Sequence, residues 1–189
     1  MKVIAVIVEN RQIDMKVVLD RHLTYFPKDW SYQLIFDEQI KSGHDYNRLL
    51  TSFDFWNQFL EYDKVFIFQS DSGILKGGFD EYLNYNYVGA PWRNGANWQQ
   101  NERRGGNGGI SIRDVKATLE CLRNYIYNAS FWNEDVYFSH CMKNVAPYEV
   151  CARFGVEAEF CLGTNTYHAI DKHLTEGQCN QILTQYKTK

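Results

Sequence analysis

Lys2–Glu9 (KVIAVIVE) is a continuous run of apolar, mostly β-branched residues that ends at a carboxylate. Such a run is typical of a strand that is buried on both faces of a sheet. Ser31–Phe36 (SYQLIF) and Lys64–Gln69 (KVFIFQ) predict a second and a third strand. Because helical patterns separate the three runs, the sequence predicts an α/β fold with right-handed crossovers and a mostly parallel central sheet flanked by helices.

The remaining periodicity completes this predicted fold. Ile13–Tyr25 has apolar residues at helical spacing and is followed by Pro27, and Tyr46–Leu60 predicts one or two short helices with a break near Thr51. Residues 93–107 are polar and aperiodic, which predicts a mobile loop. The other predicted elements are a short helix after Gly78, followed by the segment Tyr87–Trp92; strands at Gly109–Arg113 and near Val156–Phe160; an irregular stretch, Gly163–His168; and helices at Asp114–Tyr127, Asn133–Met142 (N-capped by Asn133) and near Thr175–Tyr186.

Length and composition limit the functions that the chain can have. It has 189 residues, of which 44% are hydrophobic and 23% charged, as expected for one globular domain. The net charge of −3 gives no electrostatic reason to expect a nucleic-acid partner, and no apolar run approaches the roughly 18–20 residues of a membrane span. The absence of a signal-peptide pattern predicts a cytoplasmic protein. The five cysteines form no Cys-x-x-Cys pair, so neither a disulfide framework nor a zinc knuckle is indicated.

Polar groups follow the first and the third predicted strands. Glu9, Asn10 and Arg11 follow the first strand, and Asp71 and Ser72 follow the third. Ligands bind beyond the carboxyl ends of the strands in parallel α/β sheets, where Arg11 could reach a phosphate and Asp71 could hold a divalent cation that bridges two phosphates. A polar loop that caps the first helix and an Asx turn after Asp71 would explain the same residues without a ligand.

Four of the five residues from 105 to 109 are glycines (GGNGG). Glycine loses much conformational entropy on folding, so such a loop indicates positive φ angles or a close approach of the backbone to another group. The loop is not a Walker loop, because no Lys-Ser/Thr follows, and it is not a dinucleotide fingerprint, because the glycines precede a strand. A β-bulge or a flexible hinge is the structural alternative.

Two acidic residues, Glu134 and Asp135, occupy the first turn of a predicted helix. The helix dipole favours acidic residues there for structural reasons alone. Alternatively, one of them is a general base for an acceptor hydroxyl, with a pKa that the helix N-terminus would lower. Further along the chain, His168 could share a Mn²⁺ ion with Asp71 if the tail folds back towards the third strand.

Four segments, in this order and at this rough spacing, resemble a family of glycosyltransferase-like domains formerly catalogued as a domain of unknown function. That family is similar to the GT-A type nucleotide-sugar transferases. The segments are QSDS (Gln69–Ser72), YVGAPW (Tyr87–Trp92), GNGGISIR (Gly106–Arg113) and EDV (Glu134–Val136). The resemblance extends from Val3 to about His168. It implies a single Rossmann-like GT-A domain, residues 1–189, with a nucleotide-binding part at about 1–92 and an acceptor and catalytic part at about 93–189.

The resemblance also implies a function, which is metal-assisted transfer of a sugar from a nucleotide-diphosphate sugar, such as a UDP-sugar, to a hydroxyl of a glycan or a protein, with inversion. Asp135 would be the base, with Glu134 as the alternative, and Mn²⁺ or Mg²⁺ would bind Asp71 and His168. The donor would contact Glu9, Asn10, Arg11, Asp71 and Ser72, and the sugar and the acceptor would contact Trp92, Asn107, Gly108 and Gly109.

One departure from the family pattern concerns the metal site. A complete Asp-x-Asp motif needs a second carboxylate at position 73, where this chain has Gly73. Two other functions therefore stay open. One is a non-catalytic module of the same fold that binds nucleotide sugars or glycans, and the other is a nucleotidyltransferase, which would attack the α-phosphate.

Overall fold

A computed structural model describes residues 1–93 and 104–187. The strands and helices of these residues alternate along most of the chain. In chain order they are β1 (Val3–Glu9), α1 (Met15–Leu23), β2 (Ser31–Phe36), α2 (Gly43–Leu50), α3 (Phe53–Asn57), β3 (Lys64–Phe68), β4 (Ser72–Ile74), β5 (Tyr87–Ala90), β6 (Asn107–Asp114), α4 (Val115–Asn124), α5 (Glu134–Cys141), α6 (Tyr148–Phe154), β7 (Gly155–Val156), β8 (Thr166–His168) and α7 (Glu176–Thr184), with short 3₁₀ turns at Tyr82–Asn84 and Ile170–Lys172.

The larger sheet has five strands in the order β2-β1-β3-β6-β5. Strand β1 pairs in parallel with β2 and β3, whereas β6 pairs antiparallel with both of its neighbours. The predicted α/β fold is therefore confirmed, but the sheet is mixed rather than mostly parallel. The prediction assumed a helical crossover between successive strands, and the polar segment between β5 and β6 has no helical pattern that would return the chain in the same direction.

Two buried layers of side chains hold this sheet in place. Every residue of β1 and β3 is buried, and alternate residues point to opposite faces. One face packs against α1 and α6, and the other packs against α2, α3 and α4. Each fully buried Val, Ile or Phe side chain contributes about 1.5–3 kcal/mol. This packing fixes the direction of β1 and β3, so Glu9 and Gln69 lie at the same edge of the sheet.

A second sheet of three short strands, in the order β4-β8-β7, was not predicted. Strand β8 lies in Gly163–His168, which was predicted to be irregular, and it pairs with β4 so that His168 is opposite Ser72. Strands of two or three residues are too short to show an alternating pattern. This pairing folds the tail back onto the end of β3.

Most predicted helices are confirmed with shorter bounds, including the break near Thr51, where Ser52 caps α3. Helix α6 was missed, since seven residues after Pro147 give little periodicity. Asn133 precedes α5, but its side chain makes no capping hydrogen bond, so that part of the prediction is wrong. The predicted mobile loop, residues 93–107, lies mostly outside the described residues. Among the helices that are described, none is long and apolar enough to cross a membrane.

Candidate functional site

A cleft of about 600 Å³ lies at the edge of the larger sheet where β1 and β3 end and β6 begins. Its lining residues come from both predicted parts of the chain, about 1–92 and about 93–189. Residues after position 93 therefore lie beside the residues that were predicted to bind the nucleotide. Ten of the twelve predicted site residues line the cleft, all except Ser72 and Trp92. They are Glu9, Asn10, Arg11, Asp71, Asn107, Gly108, Gly109, Glu134, Asp135 and His168.

The residues after β1 form a hydrogen-bonded turn on one wall. Arg11 donates through Nε and Nη2 to the two carboxylate oxygens of Glu9, at 2.8 and 2.9 Å, and its Nη2 also donates to Ser70 Oγ at 2.5 Å. Burial alone would raise the pKa of Glu9, but the hydrogen bonds from Arg11 lower it to about 2. Asn10 Nδ2 donates to the carbonyl of Ile40 at 2.5 Å. The Arg11 side chain is still 63% exposed, so it can reach an anionic ligand.

Asp71 and His168 lie together at the end of β3, next to this turn, and their predicted proximity is confirmed. His168 Nε2 is 3.3 Å from Asp71 Oδ1, while His168 Nδ1 is 3.1 Å from Glu157 Oε1. Burial alone would lower the pKa of His168, but Asp71 and Glu157 raise it to about 9. Hydrogen bonds from His168, and also from Lys172, hold the pKa of Asp71 well below its ordinary range. Lys172 Nζ is 2.6 Å from Asp71 Oδ2.

Three atoms on this wall are of the kinds that bind a small divalent cation. Asp71 Oδ1 and Gln69 Oε1 lie 3.3 and 3.0 Å from His168 Nε2. Two ligands at right angles, each about 2.1 Å from Mg²⁺ or Mn²⁺, would be about 3 Å apart. The Glu157 carboxylate on the far ring nitrogen is the usual second partner of a metal-binding histidine. No group of three or more His, Cys, Asp and Glu side chains with the geometry to hold a metal ion occurs among the described residues, so the diphosphate would have to complete the coordination.

The neighbours of Gly73 explain why this chain lacks a second carboxylate in its QSDS segment. Gly73 lies in β4 opposite Tyr167 of β8. A Cβ atom at position 73 would be 2.5 Å from the Tyr167 ring. An aspartate there would therefore displace the Tyr167 ring.

The glycines at the start of β6 let two groups of side chains approach the strand. A Cβ atom at Gly109 would be 2.2 Å from His168 Nε2, and one at Gly108 would be 2.2 Å from Glu134 Oε1. Gly106 has a φ of +129°, which favours glycine, and a Cβ there would be 2.3 Å from the carbonyl oxygen of Ala90. Close approach is thus the reason for these glycines, as predicted, but the groups that approach are the protein's own.

Asp135 lies beside Gly108 and is only 8% exposed. Its Oδ2 accepts a hydrogen bond from the Gly108 N–H at 3.2 Å, and its Oδ1 accepts one from the Val136 N–H at 2.7 Å. Burial, followed by the nearby Glu134 carboxylate, raises the pKa of Asp135 to about 7. The predicted lowering by the helix N-terminus is therefore wrong, because burial outweighs it. A carboxylate with this pKa is suited to accept a proton at neutral pH.

Glu134 is held in a buried ion pair. Both of its carboxylate oxygens bond the guanidinium of Arg113, with Nη2 at 3.0 Å from Oε1 and Nη1 bonded to Oε2. Arg113 is 0% exposed, and its Nε donates to Ser111 Oγ at 3.0 Å. Because Arg113 occupies both oxygens, Asp135 is the better candidate for a base.

Two predicted residues lie outside the cleft. Ser72 Oγ donates to the carbonyl of Gln69 at 2.6 Å and is 3.1 Å from Nε2 of the buried His22, so it stabilises the turn before Asp71 rather than facing a ligand. Trp92 is 8% exposed and lines a separate small cavity with Arg104 and Gly106.

Several residues at the site were not predicted. Lys172, Glu157 and Arg113 carry charges that contact predicted residues, and Tyr46 lines the cleft from α2. Lys172 follows His168 by four positions in the sequence. This spacing predicts a shared position at the site only once the 3₁₀ turn at Ile170–Lys172 is known. Tyr46 was predicted only as part of a helix.

Comparisons with known proteins give a family and a likeness to solved structures. Residues 29–172 match the family described as "Protein of unknown function (DUF5672)". No curated protein shows a significant match. A solved structure, described as "Crystal Structure of A197 from STIV", is similar over 74% of this chain and 77% of that chain, with 15% identity and a TM-score of 0.48.

Proposed function

The chain belongs to the family described as "Protein of unknown function (DUF5672)", and for this member we propose that it is a glycosyltransferase of the GT-A type. The donor would be a nucleotide-diphosphate sugar, with UDP-sugars first to be tested, and the acceptor would be a hydroxyl of a glycan or a protein. The proposal depends on one observation above all. A buried carboxylate with a pKa of about 7, Asp135, opens into the same cleft as the Asp71–His168 pair.

The two walls of the cleft suit the two ends of this reaction. Lys172 and Arg11 place positive charge near Asp71, where the diphosphate would lie. Asp135 lies on the other side of the glycine start of β6, where the sugar and acceptor would meet. The three parallel strands, in the order β2-β1-β3, are the part of the sheet that a Rossmann-like nucleotide-binding fold would share.

Asp135 would act as the general base. Each of its oxygens accepts one backbone hydrogen bond and has a lone pair left for the acceptor hydroxyl. The acceptor oxygen would attack the anomeric carbon as Asp135 takes its proton, and the bond from that carbon to the β-phosphate oxygen would break. A single displacement of this kind inverts the anomeric configuration. The Arg113–Glu134 pair would hold the start of α5 in place.

A divalent cation would be held by Asp71 and His168, with the Gln69 amide oxygen beside them. When bound, it would neutralise part of the negative charge on the leaving diphosphate. Lys172 would contribute to the same neutralisation from the other oxygen of Asp71.

Incubation of the protein with a panel of UDP-sugars and Mn²⁺, with release of UDP as the readout, tests this proposal. Glycosyl transfer predicts UDP from one donor, at a rate that rises when the correct acceptor is added. Pyrophosphate from a nucleoside triphosphate would instead indicate a nucleotidyltransferase. Donor binding without turnover would indicate a binding module, and the absence of any donor binding would contradict the proposal.

A further inference from the structure

One buried hydroxyl in the cleft wall lacks a hydrogen-bond partner. Among the described residues, three buried side-chain oxygens have none, namely Tyr46 Oη, Ser139 Oγ and Thr164 Oγ1. Of these three residues, only Tyr46 lines the cleft. A buried hydroxyl without a partner destabilises a folded protein unless a ligand or a water satisfies it.

The position of this hydroxyl is fixed by the packing of α2 against α5. Asn47, the next residue, donates through Nδ2 to Asn133 Oδ1 at 3.2 Å and accepts from the Glu134 N–H at 3.4 Å. These two bonds hold the backbone of α2 at Tyr46 beside the start of α5.

The neighbours of the hydroxyl lie on both walls of the cleft. Burial, followed by the Glu134 carboxylate, raises the pKa of Tyr46 above its ordinary range, while the Gln69 side chain, which acts as a hydrogen-bond donor towards the hydroxyl oxygen, lowers it. This contact involves the oxygen only, so the O–H hydrogen has no acceptor among the described residues. The hydroxyl is therefore a neutral hydrogen-bond donor at any working pH. Gln69 belongs to the diphosphate wall and Asp135 to the base wall, so Tyr46 lies where the sugar would be transferred.

We infer that the Tyr46 hydroxyl binds the transferred sugar by donating a hydrogen bond to one of its hydroxyl or ring-substituent oxygens. The inference rests on the proposed function, since it assigns Tyr46 a role in donor specificity within the same cleft. A sugar that places an oxygen at this point would be favoured over its epimer or deoxy analogue, because only the former satisfies the buried hydroxyl.

The variant Tyr46→Phe tests this assignment. It removes one oxygen and leaves the ring packing in place. Titration calorimetry should show that the affinity for the preferred UDP-sugar falls roughly 2- to 13-fold, the range for one lost hydrogen bond, whereas the affinity for UDP stays unchanged. The melting temperature of the free variant should stay the same or rise, because an unsatisfied hydroxyl has been removed. Tyr32→Phe, at an exposed position on β2, is the matched control.

The outcomes separate the two proposals. If the wild-type protein binds a UDP-sugar and Tyr46→Phe binds it equally well, Tyr46 does not contact the sugar and the assignment is overturned alone. Equal losses of UDP and UDP-sugar affinity, or a lower melting temperature, would give Tyr46 a structural role and overturn it too. If the wild-type protein binds no nucleotide sugar, the proposed function fails and the assignment fails with it.

Discussion

Asp135→Asn should make the protein less active and, at high pH, more stable. The substitution keeps the size of the side chain but removes the carboxylate that would accept the acceptor's proton. Loss of a general base usually lowers the rate by about 10²-fold or more. Because Asp135 contacts no predicted diphosphate-binding residue, the affinity for the donor should change little.

The stability effect follows from the raised pKa of Asp135. Its ordinary value is 3.8 and its folded value is about 7. A carboxyl whose pKa is raised on folding destabilises the folded state increasingly as pH rises from 3.8 to about 7, and the effect is constant above that. At about 1.4 kcal/mol per pH unit, ionising Asp135 in the fold costs about 4 kcal/mol in total. Of this cost in stability, about 2–3 kcal/mol arises between pH 5 and pH 8.

Urea unfolding of both proteins at pH 5 and pH 8 measures this part directly. The free energy of unfolding of Asp135→Asn, relative to that of the wild-type protein, should be about 2–3 kcal/mol larger at pH 8 than at pH 5, so that the variant is relatively more stable at pH 8. The wild-type rate should fall as pH drops below about 7, because the base becomes protonated. Asp54→Asn, in the exposed first turn of α3, is the matched control and should leave the rate unchanged.

Two results would refute this reasoning. A variant that transfers sugar at the wild-type rate would place the base elsewhere. A stability difference that is the same at pH 5 and pH 8 would show that burial does not raise the pKa of Asp135.

Two further predictions concern the packing of the site. Glu134→Gln should lower the free energy of unfolding by about 3–5 kcal/mol, because it leaves the buried Arg113 unpaired. The control Glu120→Gln breaks the exposed pair with Lys143 and should lower the free energy of unfolding by less than about 1 kcal/mol. Equal losses of the two variants in urea unfolding would contradict the buried ion pair. Gly109→Ala would put a Cβ atom 2.2 Å from His168 Nε2 and should abolish Mn²⁺-dependent donor binding in calorimetry. The control Gly177→Ala adds a Cβ atom that meets nothing within 4 Å, and it should leave donor binding unchanged. Unchanged binding by Gly109→Ala would show that His168 can move freely.

The central strands could be predicted because burial on both faces leaves an unbroken apolar run, as in β1 and β3. The carboxyl ends of these two strands then placed Glu9 and Asp71 at the same edge of the larger sheet. The direction of β6 could not be predicted, because it depends on how the chain returns after β5. The same applies to β8, whose pairing with β4 brings His168 to Asp71 from 97 positions away in the sequence.

The chemistry of individual side chains was less predictable than their position. Glu134 and Asp135 are adjacent in sequence, and only the packing of α5 against β6 pairs one with Arg113 and leaves the other accessible from the cleft. The pKa of Asp135 was expected to be lowered by the helix N-terminus, because sequence gives no measure of burial. Tyr46 looks like an ordinary helical residue until α2 is placed against α5.

Calorimetric titration of UDP-sugars into the protein in the presence of Mn²⁺ tests the central claim, that the cleft is a nucleotide-sugar site, most directly. We expect one UDP-sugar to bind with a Kd between about 1 μM and 1 mM, the usual range for enzyme substrates. Asp71→Ala should weaken that binding at least about tenfold. It should not unfold the protein, since the Asp71 side chain is 34% exposed at the cleft wall and lies outside the two buried layers of the larger sheet. Absence of binding to every UDP-sugar, or equal affinity in the Asp71→Ala variant, would contradict the account.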